Sequence, residues 1–361
     1  VGIEFTPAVR SAEKARIALA GPAGSGKTYT ALALATFLAA PTGVVGVIDT
    51  ERGSASKYEG VNGWQFHTYR PPTFSPQSLI EALATAAGYG FTTLVVDSLS
   101  HYWMGSEGML EQVDRRTPSG GSSFSTGWKD MRPVERRMID ALVSYPAHII
   151  VTLRTKSEWV IETDRGKSKP VRVGLKPEQR DGLEYEFDVV GELNLESTLT
   201  ISKTRIPALH GAVIEKPGAA LAETIRDWLA DGADRPGPLE YRALVLDATS
   251  LAELRQLHAD VSRVGLLNAP VVSADDLPML LGELIEARMA EPQPADAART
   301  ALRALVKQHR WDAKRVGAAF RATHDGADLN TEPDADRIRA FAADLAAAPE
   351  QILSLAGGAA A

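Results

Sequence analysis

Apolar and polar positions alternate in blocks through the first half of the chain. Residues 15–20 form a short apolar run that predicts a strand ending at Ala20, and the Ala/Leu-rich stretch to about Ala40 predicts a helix. Further apolar runs predict strands at Val44–Ile48, Thr93–Val96 and His148–Thr152. Helices are expected between them, at about Pro76–Ala87 and Met131–Ser144. Strand and helix in alternation imply an α/β fold, a mostly parallel twisted sheet with helices on both faces. From Glu158 to Ser202 the pattern changes to short β-rich pieces. Residues 231–238 (Asp-Gly-Ala-Asp-Arg-Pro-Gly-Pro) read as a linker. Beyond it the pattern is amphipathic helix. The expected organisation is therefore a core over 1–230, the linker, and a small all-helical C-terminal region over 239–361, in two units at 239–290 and 294–347.

Composition narrows the picture. With 361 residues, two domains are expected, and 44% hydrophobic with 24% charged residues is ordinary for a globular protein. No apolar run approaches the ~18 residues of a membrane span and no signal-like segment opens the sequence, so no membrane partner is expected and the cytoplasm is the expected compartment. The absence of cysteine excludes disulfides, thiolate metal sites and cysteine nucleophiles. A net charge of −7 means that any nucleic-acid contact must be local.

Between the first strand and the first helix lies Gly21-Pro22-Ala23-Gly24-Ser25-Gly26-Lys27-Thr28, which satisfies G-x-x-x-x-G-K-[ST] in the context its mechanism requires. The glycines let backbone N–H groups wrap a β-phosphate, and the helix N-terminus adds its dipole. Lys27 should reach the β- and γ-phosphates, and the Thr28 hydroxyl should ligate Mg²⁺. Tyr29 follows directly and belongs with the site. Leu94-Val95-Val96-Asp97 supplies the second half of the site, an acidic residue closing a neighbouring strand, with Asp97 expected to hold Mg²⁺ through water. ATP and Mg²⁺ are the expected cofactors.

Val47-Ile48-Asp49-Thr50-Glu51 ends the second strand with two carboxylates at the sheet's C-terminal edge, where ligands bind in open α/β sheets. Glu51 there can orient and deprotonate the water that attacks a γ-phosphate. Tyr58, seven residues on, can stack on adenine. The phosphate loop, Glu51, Tyr58 and a strand ending Val-Asp-Ser stand in the order found in the RecA-type recombinase core, with 24 residues from Lys27 to Glu51 and 46 more to Asp97. Residues 1–230 resemble phage-encoded RecA-like P-loop ATPases of the single-strand annealing type, often called AAA-family ATPases. Phe5-Thr-Pro-Ala8 and the segment Gly174-Leu-Lys-Pro-Glu-Gln-Arg-Asp-Gly-Leu-Glu-Tyr-Glu-Phe-Asp-Val-Val190 carry the narrower part of that resemblance.

The resemblance implies a RecA-like fold and more. Lys203 and Arg205 match two basic residues that reach the γ-phosphate of a neighbouring subunit, so a homo-oligomer, filament or ring, is expected; two solvated cations after a strand are the competing reading. Two segments match the DNA-facing loops. The first offers Arg115, Arg116, Phe124, Trp128 and Lys129. The second, residues 154–180, has eight basic residues against four acidic and offers Lys156, Trp159, Arg165, Lys167, Lys169 and Arg172. Basic charge neutralises phosphates and aromatic faces stack bases; a solvated hairpin is the alternative. The family's Gln after the fourth strand is missing, with Thr152 and Arg154 in its region. Glu184, Glu186 and Asp188 alternate as on the solvated face of an edge strand, and no catalysis is assigned to them.

The expected function is an ATP-hydrolysing protein that assembles on single-stranded DNA and promotes annealing or pairing in phage recombination or replication. A single-strand-binding protein or another replication protein is the further partner class. The competing readings are a nucleotide-gated scaffold with little turnover and a P-loop kinase.

Overall fold

In the computed structural model, residues 13–117, 127–164, 167–180, 182–232, 235–291 and 293–357 are described. Two compact units divide the chain, Val1–Leu239 with Asn268–Leu280, and Glu240–Leu267 with Leu281–Ala361.

In chain order the first unit contains β1 (Arg16–Gly21), α1 (Lys27–Ala39), β2 (Val45–Asp49), β3 (His67–Tyr69), α2 (Pro76–Gly88), β4 (Thr93–Asp97), α3 (Ser100–Met104), α4 (Met109–Arg115) and α5 (Gly127–Val143). It continues with β5 (His148–Asp164), β6 (Lys167–Pro177), β7 (Val189–Leu193), β8 (Thr198–Thr204), β9 (Val213–Glu215) and α6 (Ala219–Ala230). The sheet runs β3-β2-β4-β5-β1-β7-β8-β9 and is parallel from β3 through β7. The last two pairings, β7–β8 and β8–β9, are antiparallel. Every residue of β2 and β4 is buried, as expected of parallel strands covered on both faces. One face carries α2 and α5, whose Leu83, Met138 and Leu142 join Val96 and Ile149. The other carries α1 and α6, whose Leu34 and Ile225 join Leu19 and Val95.

Only the first part of β5 belongs to this sheet, with Arg16–Gly21 paired to Ile149–Arg154. From Thr155 onward it pairs antiparallel with β6, Thr155 opposite Pro177 through Asp164 opposite Lys167. The fourth predicted strand is thus three times longer than its apolar run, because the charged continuation pairs with its own hairpin partner instead of needing burial.

Downstream lie α7 (Pro238–Asp247), α8 (Leu251–Arg263), β10 (Pro270–Val272), β11 (Pro278–Leu280), α9 (Leu281–Ala290), α10 (Pro294–His309), α11 (Ala313–Thr323), α12 (Ala335–Ala347) and α13 (Pro349–Ser354). The expectation of an all-helical C-terminal region is corrected here. β10 and β11 form an antiparallel pair that belongs to the first unit, where Leu280 enters the α2–α5 core and Asn268 Nδ2 donates to Asp140 Oδ2 at 2.9 Å. Pro270, Pro278 and Val271-Val272 favour extended backbone, but the run is too short for periodicity to separate it from its helical neighbours. In the second unit α8 starts with a reciprocal Ser250–Glu253 capping box, and Leu302, Phe320, Ile338 and Phe341 form the core of α10 to α13.

A second correction concerns the carboxylates after β6. Leu183–Glu186 form a 3₁₀ turn led by Gly182 at φ +90°, and Asp188 is buried rather than solvated. Asp188 accepts from Arg16 N–H at 3.1 Å and from Arg205 Nη1 at 2.8 Å. An x-Glu-x-Glu-x-Asp alternation suits a turn as well as a strand, and the left-handed glycine decides between them.

Candidate nucleotide-binding site

The loop between β1 and α1 is shaped by its glycines. Gly24 and Gly26 lie at φ +82° and +86°, and a Cβ at Gly21 would stand 2.6 Å from Ser25 Oγ and 2.7 Å from the Leu193 carbonyl oxygen. No side chain caps α1, so its first-turn N–H groups are left for an anion. Ser25 Oγ is fully buried and has no hydrogen-bond partner. Lys27 Nζ donates to the carbonyl oxygens of Gly21 and Pro22 at 2.9 and 2.8 Å. Burial holds the amine below its ordinary range, against the opposing pull of Asp97 and Glu51.

β4 delivers Asp97 beside this loop. Thr28 Oγ1 donates to Asp97 Oδ2 at 2.7 Å, and Thr152 Oγ1 of β5 donates to Oδ1 at 2.5 Å. Asp97 is 1% exposed, and burial pushes its carboxyl up while the two hydroxyls pull it down. An orphaned hydroxyl, an uncapped helix start, an amine bonded only to loop carbonyls and a hydroxyl–carboxylate pair together fit a Mg²⁺–nucleotide. Thr28 and Asp97 would hold the metal.

Glu51 and Asp49 part company at the end of β2. Both were expected at the rim, but Asp49 turns inward, accepting from Glu51 N–H at 2.8 Å and Ala55 N–H at 3.2 Å, and so folds the following loop back. Glu51 remains at the rim, held by Arg154 in a two-pronged ion pair: Nε to Oε1 at 2.8 Å and Nη2 to Oε2 at 2.5 Å. Burial alone would raise the Glu51 carboxyl, but the hydrogen bonds and charge of Arg154 outweigh it and leave the group below its usual range. The Glu51 hydrogen bond raises the Arg154 guanidinium in turn. His101 Nδ1 lies 2.6 Å from Thr50 Oγ1 and stacks on Phe74; burial and then the Arg154 charge lower it.

Beside the first turn of α1, Tyr29 packs edge-on to Tyr58 at 5.8 Å and against Trp64 at 4.9 Å, and its hydroxyl accepts from Asn62 Nδ2 at 3.0 Å. Tyr58 therefore joins an aromatic cluster next to the phosphate loop. Trp64 escaped sequence reasoning, as did the Arg154–Glu51 pair, which closes over 103 residues. Only the position of Arg154, in line with the missing Gln, pointed to it.

The remaining predicted residues lie elsewhere. Lys203 Nζ donates to the Phe187 carbonyl, and Arg205 pairs with Asp188 and donates to the Tyr185 carbonyl at 3.2 Å, so both cations are bonded within their own chain. Arg115 is paired with Glu107 and Glu111 at 2.7 and 2.5 Å, and Arg116 folds onto Gln112. Trp128 packs against Trp103, while Lys129 and Lys156 are exposed. Trp159, Lys167, Lys169 and Arg172 occupy ladder positions of β5 and β6, Trp159 opposite Arg172. Phe124, Arg165 and the Phe5–Ala8 segment lie outside the described residues.

A family model described as an AAA domain matches residues 13–215, more than half of the chain and every site residue above. The chain belongs to the AAA-domain family. Its AAA domain is that of a P-loop ATPase, and the family implies binding of a nucleotide, usually with Mg²⁺. No curated protein matches the chain. Among the described residues, no helix is long and apolar enough to cross a membrane.

Proposed function

We propose that this AAA-domain ATPase is a RecA-like protein that binds single-stranded DNA, assembles on it and promotes annealing or pairing in phage recombination or replication. The observation that carries the reading is the continuity of β5. It supplies Thr152 to Asp97 and Arg154 to Glu51, then leaves the sheet as the basic hairpin with β6. The motif resemblance to single-strand annealing ATPases names the polymer.

In this reading the first-turn N–H groups of α1 and Lys27 bind the phosphates, while Thr28 and Asp97 orient the metal. Mg²⁺ held there offsets phosphate charge. Glu51, once released from Arg154, accepts the proton of the attacking water. Lys203 and Arg205 of one copy complete the site of the next, which requires them to leave Asp188 and the carbonyls they hold in the isolated chain.

The test is ATP hydrolysis with and without single-stranded DNA, with Lys27→Ala as the blank and double-stranded DNA and RNA as controls. Stimulation by single strands supports the reading, and turnover indifferent to every nucleic acid removes it. One observation favours a second reading, a nucleotide-gated scaffold with little turnover. Glu51 is engaged by Arg154 and its carboxylate is not free to take a proton. Glu51→Gln separates the two, trapping bound ATP in an ATPase and changing nothing in a scaffold.

A further inference from the structure

A cavity of about 590 Å³ is lined by residues of α3, α5 and the segment after β6. Its aromatic wall is Trp103 of α3 and Trp128 of α5, both half-buried, with ring centroids 5.6 Å apart and planes inclined by 36°. Facing it are Arg132 and Arg136, one helical turn apart on α5, and Arg180, which follows β6. Among the described lining residues, three guanidiniums meet a single carboxylate, Glu135, whose Oε1 lies 3.5 Å from Arg180 Nε.

The floor carries an unmade hydrogen bond. Gln179 is 8% exposed; its Oε1 accepts from Arg180 N–H at 3.2 Å, but Nε2 has no partner. A buried amide donor left unpaired is costly, so it marks a place where a ligand acceptor belongs. Flat indole faces, clustered guanidiniums and one buried donor ask for a planar ring with a carbonyl acceptor and an attached anion.

We propose that this cavity binds one unit of a nucleic-acid single strand, its nucleobase against Trp103 and Trp128, a base carbonyl on Gln179 Nε2 and its phosphate on Arg132, Arg136 and Arg180. The choice of a strand over a free nucleotide rests on the DNA-binding reading above; the nucleobase-phosphate chemistry does not. The cavity and the ATP site hang from the same two segments. Glu178 N–H donates to the Arg154 carbonyl at 2.7 Å, immediately before Gln179, and Ser100 Oγ at the start of α3 accepts from Arg154 N–H at 3.0 Å.

The experiment measures anisotropy of a fluorescein-labelled oligothymidylate titrated with the full chain, over a range of salt, with unlabelled dTMP as competitor. The double variant Arg132→Gln/Arg136→Gln and the single variant Trp128→Leu are each expected to weaken binding about tenfold, with Trp128→Phe restoring most of it. The double variant also flattens the salt dependence, since phosphate contacts are lost. Wild-type oligonucleotide affinity in all these variants, with loss only in Lys156→Ala, overturns the cavity's role and leaves DNA binding intact. Competition by dTMP as strong as by the oligonucleotide keeps the nucleobase-phosphate chemistry and removes the single strand as its source. No binding of either probe by the wild type overturns both.

Discussion

Arg16 and Arg154 stand at opposite rims of the same parallel sheet, and their guanidiniums are bonded in different ways. Arg16 opens β1 and donates to the backbone carbonyls of Val143, Tyr145 and Ala147 at 2.5, 2.5 and 2.8 Å. Burial lowers it to about 10 despite the nearby Asp188 carboxylate. Arg154 ends the sheet-bound part of β5, keeps 41% of its side chain exposed and holds one carboxylate, Glu51. Backbone carbonyls cannot leave, whereas a carboxylate can. At the N-terminal rim polar groups are used up in closing the fold; at the C-terminal rim they stay exchangeable, which suits a ligand-binding edge.

That contrast can be broken at several points. Lys27→Ala should lower ATP turnover on the order of 10³-fold, as loss of a phosphate-stabilising charge does elsewhere, with little change in the denaturation midpoint. An equally large stability loss would erase the distinction between the rims. Arg16→Met should do the reverse. It strands the three carbonyls that the guanidinium holds, costing about 3–5 kcal/mol in denaturant unfolding, while nucleotide affinity of the folded protein is unchanged.

His148 extends the N-terminal rim. Its Nδ1 accepts from Ala15 N–H at 2.9 Å, and burial, followed by the charges of Lys14, Arg16 and Arg226, lowers it to about 4. With the folded value depressed, the unfolded chain binds the extra proton between pH 6.5 and 4. Stability should therefore be complete above pH 6.5 and fall by on the order of 3 kcal/mol towards pH 4. His148→Gln should flatten that slope in urea melts run across this range.

Arg154→Ala is expected to be the mildest for stability, below about 1 kcal/mol, because the pair is partly solvated. Without Arg154, burial dominates at Glu51 and its carboxyl rises, so the acid limb of the pH–rate profile moves to higher pH. Turnover in the absence of DNA should rise a few-fold as the base is freed. A profile that does not move would mean that Glu51 is not the titrating group.

The contiguous parts of the site were legible in the sequence. The phosphate loop is fixed by eight neighbouring residues, and Asp97 ends an apolar run, so local chemistry suffices for both. The parallel alternation was equally plain in the apolar runs of β1, β2, β4 and the start of β5. Asp49 and Glu51 looked alike, because only the fold-back to Ala55 reveals which one faces inward. The Arg154–Glu51 pair and the Trp103–Trp128 wall join distant stretches, and nothing in either stretch alone announces them. Gly182 hid a turn inside an apparent strand, and β10–β11 were too short to show a period.

β5 has one more property. Its 17 residues run without a loop from His148 to Asp164, a span of about 55 Å at ordinary strand rise. One end is clamped between β1 and β4, and the other stands clear of that sheet with β6 as its only paired strand among those described. Mechanically this is a cantilever: Thr152 and Arg154 lie at the fulcrum, and the pairing with β6 shifts register once along the arm, at Glu158/Trp159. A load on the free arm reaches the carboxylates of Asp97 and Glu51 as torque, with no joint in between.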